Sequence, residues 1–128
     1  MRIILDTHAF LWWITDDQSL SGVARALIGD DANQIYISAA SGWEIAIKAQ
    51  IGRLDIAGEP DRFVLEQMAI NAFLALPVRM EHALRVYSLP LHHRDPFDRM
   101  LIAQSQVEGL PIVTADAAFP VYNVETIW

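Results

Sequence analysis

The sequence predicts an α/β fold, a parallel sheet covered by helices on both faces. Two observations lead there. Short apolar runs recur at 2–5, 35–38, 73–76 and 111–114, the first with β-branched content, the pattern of buried strands. Longer stretches with helical apolar spacing and recognisable caps lie between them, and such alternation implies parallel strands joined by helical crossovers. At 128 residues, 53 % apolar and 20 % charged, the chain suits one domain, residues 1–128, with a real hydrophobic core. It has no cysteine, which excludes disulfides and thiolate metal sites.

Arg2-Ile3-Ile4-Leu5 is the first strand, bounded by Asp6-Thr7. Thr7–Ile14 follows as helix, with Phe10, Trp13 and Ile14 at helical spacing. Ser19 or Ser21 can cap a second helix reaching about Ile28, and 29–33 is a turn. Ile35–Ser38 is the second strand. Ser38 can cap the next helix, although Ser41 and Glu44 also have capping-box spacing. Gly52 stops that helix, 53–59 connects, and Pro60–Asn71 is helical. Phe73–Leu76 is the third strand, ended by Pro77, and Met80–Tyr87 is a further helix. Asp95 then reads as an N-cap with Pro96 in the first helical position. That helix runs to Glu108, and Gly109 ends it. Pro111–Thr114 is the fourth strand, and Tyr122–Val124 is expected to be a short fifth.

The charge at Asp6 ends the first apolar run too early for a signal peptide, and the longest apolar run, Ala9–Ile14, is far short of a membrane span. A cytoplasmic protein without membrane contact is expected. The net charge is −7, from 16 acidic against 9 basic side chains with 4 histidines neutral. That argues against generic nucleic-acid binding unless part of the acidity is gathered in a site that holds a cation.

The acidic residues fall where such a site would lie. Parallel sheets bind ligands beyond the carboxyl ends of their strands. Asp6 follows the first strand, Asp116 follows the fourth, and Glu44 lies in the helix after the second. Asp95 and Asp98 open the helix that precedes the fourth strand. Taken singly, each has a local role as a cap or a helix-dipole partner. Taken together, they would crowd one edge of the sheet, and crowded carboxylates either protonate or bind a cation. An all-oxygen donor set suits Mg²⁺ or Mn²⁺, ions that assist phosphodiester hydrolysis.

At these residues the chain resembles the PIN-domain family, in particular VapC-type toxins of bacterial toxin–antitoxin modules. The likeness includes Asp6-Thr7-His8 with Leu11-Trp12, Ser41–Lys48, Leu89-Pro90, and the highly specific run His93–Arg99 with Leu101–Gln104. Thr114-Ala115-Asp116 and a closing Tyr122 … Ile127-Trp128 complete it. One departure is Ser105, where alanine would be expected. The resemblance implies a five-stranded parallel sheet and a Mg²⁺- or Mn²⁺-dependent ribonuclease. By position, Asp6, Glu44, Asp98 and Asp116 would be catalytic and metal-binding, with Asp95, Thr114 and Thr7 as supporting candidates. Lys48, Arg99, Arg94 and His93 are candidates for substrate contact, each with a structural alternative as an ion-pair or loop-holding residue. The implied partners are an RNA substrate, a cognate antitoxin and a second copy of the chain.

Trp12 and Trp13 diverge by about 100° on a helix, so one is a candidate partner anchor unless both pack internally. Two other readings compete: a binding module that keeps the fold without catalysis, and a receiver-like Mg²⁺-binding signalling domain. The receiver would need an aspartate after the third strand and a lysine after the fifth. Here Pro77-Val78 follows Leu76, and no lysine occurs after Lys48.

Overall fold

The computed structural model describes residues 1–128. Its elements run β1 (Arg2–Leu5), α1 (Thr7–Ile14), α2 (Gly22–Gly29), β2 (Gln34–Ser38), α3 (Ala39–Gln50) and α4 (Pro60–Asn71). They continue with β3 (Leu74–Leu76), α5 (Met80–Arg85), α6 (Pro96–Glu108), β4 (Ile112–Val113) and β5 (Thr126–Ile127). The five strands form one sheet in the order β3-β2-β1-β4-β5, and every neighbouring pair is parallel. No helix is long and apolar enough to cross a membrane.

β1 occupies the centre, and its side chains alternate between two cores because successive residues of a strand face opposite sides. Ile3 and Leu5 join Phe10, Ile28, Ile37 and Ile45 on one face. Ile4 joins Leu101, Ile102, Ile112 and Phe119 on the other. Ile3, Ile4 and Leu5 are fully buried, and each such burial stabilises the fold by roughly 1.5–3 kcal/mol. Apolar demand on both faces explains why the strand reads as an unbroken apolar run rather than an alternating one.

Side-chain caps fix where four of the helices begin. The carboxylate of Asp6 accepts from the Ala9 N–H (2.7 Å), Ser21 from Ala24, Ser38 from Ala40, and Asp95 from both Phe97 and Asp98. Ser38 is therefore the cap of α3, and Ser41 lies one turn inside it. The Ser38 hydroxyl also donates to Gln104 of α6 (2.6 Å), tying the end of β2 to the opposite layer. The departure at Ser105 is accommodated: its hydroxyl is buried and donates to the Leu110 carbonyl just past the end of α6.

Two elements differ from the sequence expectation. The helix expected to run to Tyr87 ends at Arg85 and tightens into a 3₁₀ turn over Val86–Ser88. The carbonyls of Val86 and Leu89 there turn to the guanidinium of Arg99 instead of continuing the helix. The fifth strand is not Tyr122–Val124. Pro120–Tyr122 forms a 3₁₀ turn, Asn123 takes a left-handed conformation (φ 60°), and β5 begins only at Thr126. Pro120 cannot donate to a ladder, and the Tyr122 phenol is drawn into the interior by His93 and Arg99.

Strand order reverses between β1 and β4, where the Asp6 N–H donates to the Val113 carbonyl (3.0 Å). In an open parallel sheet this is where a crevice forms beyond the strand ends.

Candidate metal centre

Asp6 stands at that crevice, buried at the end of β1. Burial pushes its carboxyl pKa up, and the nearby charge of Asp116 adds to this. Hydrogen bonds from the Thr114 hydroxyl and the Ala9 amide, with the charge of His8, pull the other way. Thr114 also accepts from the Asp116 N–H (3.0 Å), so one side chain at the end of β4 positions two acidic residues. Asp116 is partly exposed, and its Oδ1 accepts from Ala118.

Asp98 lies in the first turn of α6. Burial raises its pKa to about 6, helped by the charges of Asp95 and Glu44 and opposed by a hydrogen bond and charge from His93. Asp95 acts as the helix cap: one of its oxygens takes the N–H groups of both Phe97 and Asp98. Glu44 projects from the second turn of α3 and is buried, with both oxygens engaged. Thr7 donates to Oε1 (2.7 Å) and Lys48 to Oε2 (2.5 Å). Thr7 in turn lies 2.9 Å from the Ser41 hydroxyl.

His93 links two of these groups. Its Nε2 is 2.8 Å from Asp98 Oδ2 and 3.4 Å from Asp116 Oδ2. The sequence placed His93 among candidate substrate contacts; nothing in a loop histidine's spacing announces that it will lie between two carboxylates. Arg99, another candidate for substrate contact, is instead an internal anchor. Its buried guanidinium donates to the carbonyls of Val86, Leu89, Pro90 and His93 and to the Tyr122 hydroxyl, at 2.8–3.3 Å. Lys48 pairs with Glu44, while Arg94 is exposed beside an apolar groove bordered by Trp43, Phe97 and Met100.

A cleft of about 460 Å³ opens next to Thr7 and Glu44 and runs past Leu11, Trp12 and Arg53 to Phe63. Trp12 borders it, flanked by the rings of His8 and Trp128. Trp13 turns away, its indole N–H donating to Asn71 of α4 (2.9 Å).

Two groups of side chains have donor atoms close enough to share an ion: His93 with Asp98 and Asp116, and Glu81 with His82 and Glu108. Around the first, the charges of Asp95 and Glu44 reach Asp98 and that of Asp116 reaches Asp6, and the basic side chains set against these carboxyls are Lys48, His8 and His93. Two of those carboxyls resist ionisation. That excess of anionic oxygen fits a hard divalent ion.

A model of the PIN domain matches residues 3–124. The chain belongs to the PIN-domain family. This PIN domain is homologous to VapC-type toxins: it is 30 % identical over 115 residues to the ribonuclease VapC22 of Mycobacterium tuberculosis, covering 89 % of this chain and 86 % of that protein. Among solved structures, its fold matches VapBC2 from Rickettsia felis bound to a promoter DNA fragment. The TM-score is 0.71 at 14 % identity, over 100 % of this chain and 99 % of that one. FitAcB from Neisseria gonorrhoeae matches with a TM-score of 0.67 at 17 % identity, over 98 % and 96 %. Family and donor set together are consistent with a metal-dependent nuclease.

Proposed function

We propose that this PIN domain is a Mg²⁺- or Mn²⁺-dependent endoribonuclease, the toxin of a toxin–antitoxin module. What supports this reading is the close approach of Asp98 and Asp116 around His93, with Asp6 near enough to Asp116 and Glu44 near enough to Asp98 for their charges to raise the neighbouring carboxyl. Asp6, Asp98 and Asp116 would hold the ion, with Glu44 completing the set. When bound, the ion supplies Lewis-acid stabilisation of charge on a phosphoryl oxygen and favours a reactive water.

The chain's own residues prepare that site. Thr114 aims Asp6 and Asp116, Asp95 fixes the turn that carries Asp98, and Thr7 with Lys48 holds Glu44. Lys48, Arg53 and Arg94 are the cations available to meet substrate phosphate. They are few, so RNA affinity is modest and depends on the metal and on fit.

A cognate antitoxin would lay an apolar segment in the cleft beside Trp12 and direct a basic side chain at the carboxylates. This draws on the relatives, several of which were solved as VapBC or FitAB assemblies. A homodimer would use the groove bordered by Trp43, which is 64 % exposed and meets Phe97 edge-on. The setting is the cytoplasm.

The test is cleavage of a labelled RNA mixture by purified protein with Mn²⁺. Asp6→Asn and Asp98→Asn should each reduce cleavage to that of the buffer alone. If both variants cleave like the parent, the site assignment is wrong. If the parent cleaves nothing yet binds Mn²⁺, the domain is a non-catalytic binding module.

A further inference from the structure

Asp98 and Asp116 arrive from different parts of the chain, one on the first turn of α6 and the other on the loop after β4. Each is held by its own element, and the imidazole of His93 lies between the two. The ring's other nitrogen decides its chemistry. Nδ1 accepts from the backbone N–H of Arg94 (3.1 Å) and faces that of Asp95 (3.5 Å). Two amide hydrogens on that side leave no room for a proton on Nδ1, so the neutral ring carries its proton on Nε2. Nε2 therefore offers the carboxylates a donor and offers an ion no lone pair.

The loop that presents the ring is itself tied down. The His93 N–H donates to the Tyr122 hydroxyl (2.6 Å), and its carbonyl accepts from Arg99 (3.3 Å). The same guanidinium holds the carbonyls of Val86, Leu89 and Pro90. The imidazole is thus seated from a buried anchor before any ligand arrives.

We infer that His93 is a positioning residue of the metal centre, its Nε2–H donating to Asp98 with Asp116 3.4 Å away, so that the ring orients Asp98 beside Asp116 for a divalent cation without ligating it. This rests on the reading of the site as a metal centre. Hydrogen-bond partners of ligating carboxylates typically contribute 10- to 100-fold in metal affinity.

The test uses the whole protein with Mn²⁺, followed by titration calorimetry and by pulsed electron paramagnetic resonance. His93→Ala should weaken Mn²⁺ binding by about 10- to 100-fold with unchanged stoichiometry. His93→Gln, which can still place an amide N–H near the carboxylates, should recover most of the loss. The parent's Mn²⁺ spectrum should lack the ¹⁴N coupling of a directly bound imidazole, a readout that needs no variant to fold. Unchanged or tighter binding by His93→Ala, a Gln variant as weak as the Ala variant, or a strong ¹⁴N coupling would each overturn the inference while leaving the metal centre standing. A parent protein that takes up no Mn²⁺ would overturn both.

Discussion

The molecule contains two histidine–carboxylate pairs built on one local plan and set to opposite uses. In each, Nδ1 accepts a backbone N–H, from Arg79 at His82 and from Arg94 at His93. In each, Nε2 meets an acidic oxygen, Glu108 at 3.0 Å or Asp98 at 2.8 Å. His82 is fully buried and joins α5 to a single glutamate of α6. His93 is partly exposed and faces two aspartates, beside a third aspartate and a buried glutamate. Donor spacing alone would admit an ion at either place. What separates them is how much anionic charge gathers: near His82, Glu81 is paired with Arg79 (3.2 Å), whereas around His93 the neighbouring carboxylates help to raise Asp98 and Asp6, so the larger surplus lies at the second.

Removing His82 is the most severe way to probe this contrast. His82→Ala leaves a cavity between α5 and α6 and strands Glu108, a loss of about 2–4 kcal/mol in denaturant unfolding. Mn²⁺ affinity should stay at the parental value. A variant that kept its stability but lost the metal would reverse the two assignments.

The surplus charge predicts a pH effect of intermediate size. Asp98 titrates near 6 in the folded protein against 3.8 for an ordinary aspartate. Between those values the native state binds more protons than the unfolded chain. In metal-free protein, stability therefore falls as pH rises from about 4 through 6, and Asp6 acts in the same direction. After discounting for partial exposure, the Asp98 contribution is on the order of 1–2 kcal/mol. Asp98→Asn should consequently be more stable than the parent at pH 7, with a flatter profile in unfolding measured from pH 4 to 7. A variant less stable than the parent there would show that Asp98 carries no surplus. Thr7→Val, which takes one donor from Glu44 while preserving shape, should cost about 1 kcal/mol in the same assay, the low end for a buried acceptor, because Lys48 still holds the other oxygen. A larger loss would mean that Glu44 belongs to the strained region more deeply than its ion pair with Lys48 suggests.

Local chemistry was the legible part of this chain. Asp6, Ser38 and Asp95 cap their helices through atoms two or three residues away, so sequence spacing suffices to find them. The sheet's central strand was equally plain, because burial on both faces demands an unbroken apolar run. Tertiary commitments were not legible. Arg99 follows Asp98 and looked free to pair or to meet phosphate, yet five oxygens from distant turns claim it. Tyr122 looked like a strand residue, and its recruitment by that same guanidinium moved β5 four residues along. The place of His93 between two aspartates depends on Asp116, twenty-three positions away, and no periodicity records such a meeting.

The short ladder at the β5 edge of the sheet also has reach beyond its size. β5 is a two-residue edge strand, and the Thr114 amide hangs from its Ile127 carbonyl (3.2 Å). Since Thr114 steadies both Asp6 and Asp116, unzipping those few hydrogen bonds would set the back wall of the acidic cup adrift without touching a single carboxylate. Brief openings of so small an edge are the easiest local unfolding a domain can undergo, so the persistence of the assembled cup is capped by the fraying of its most weakly fastened strand.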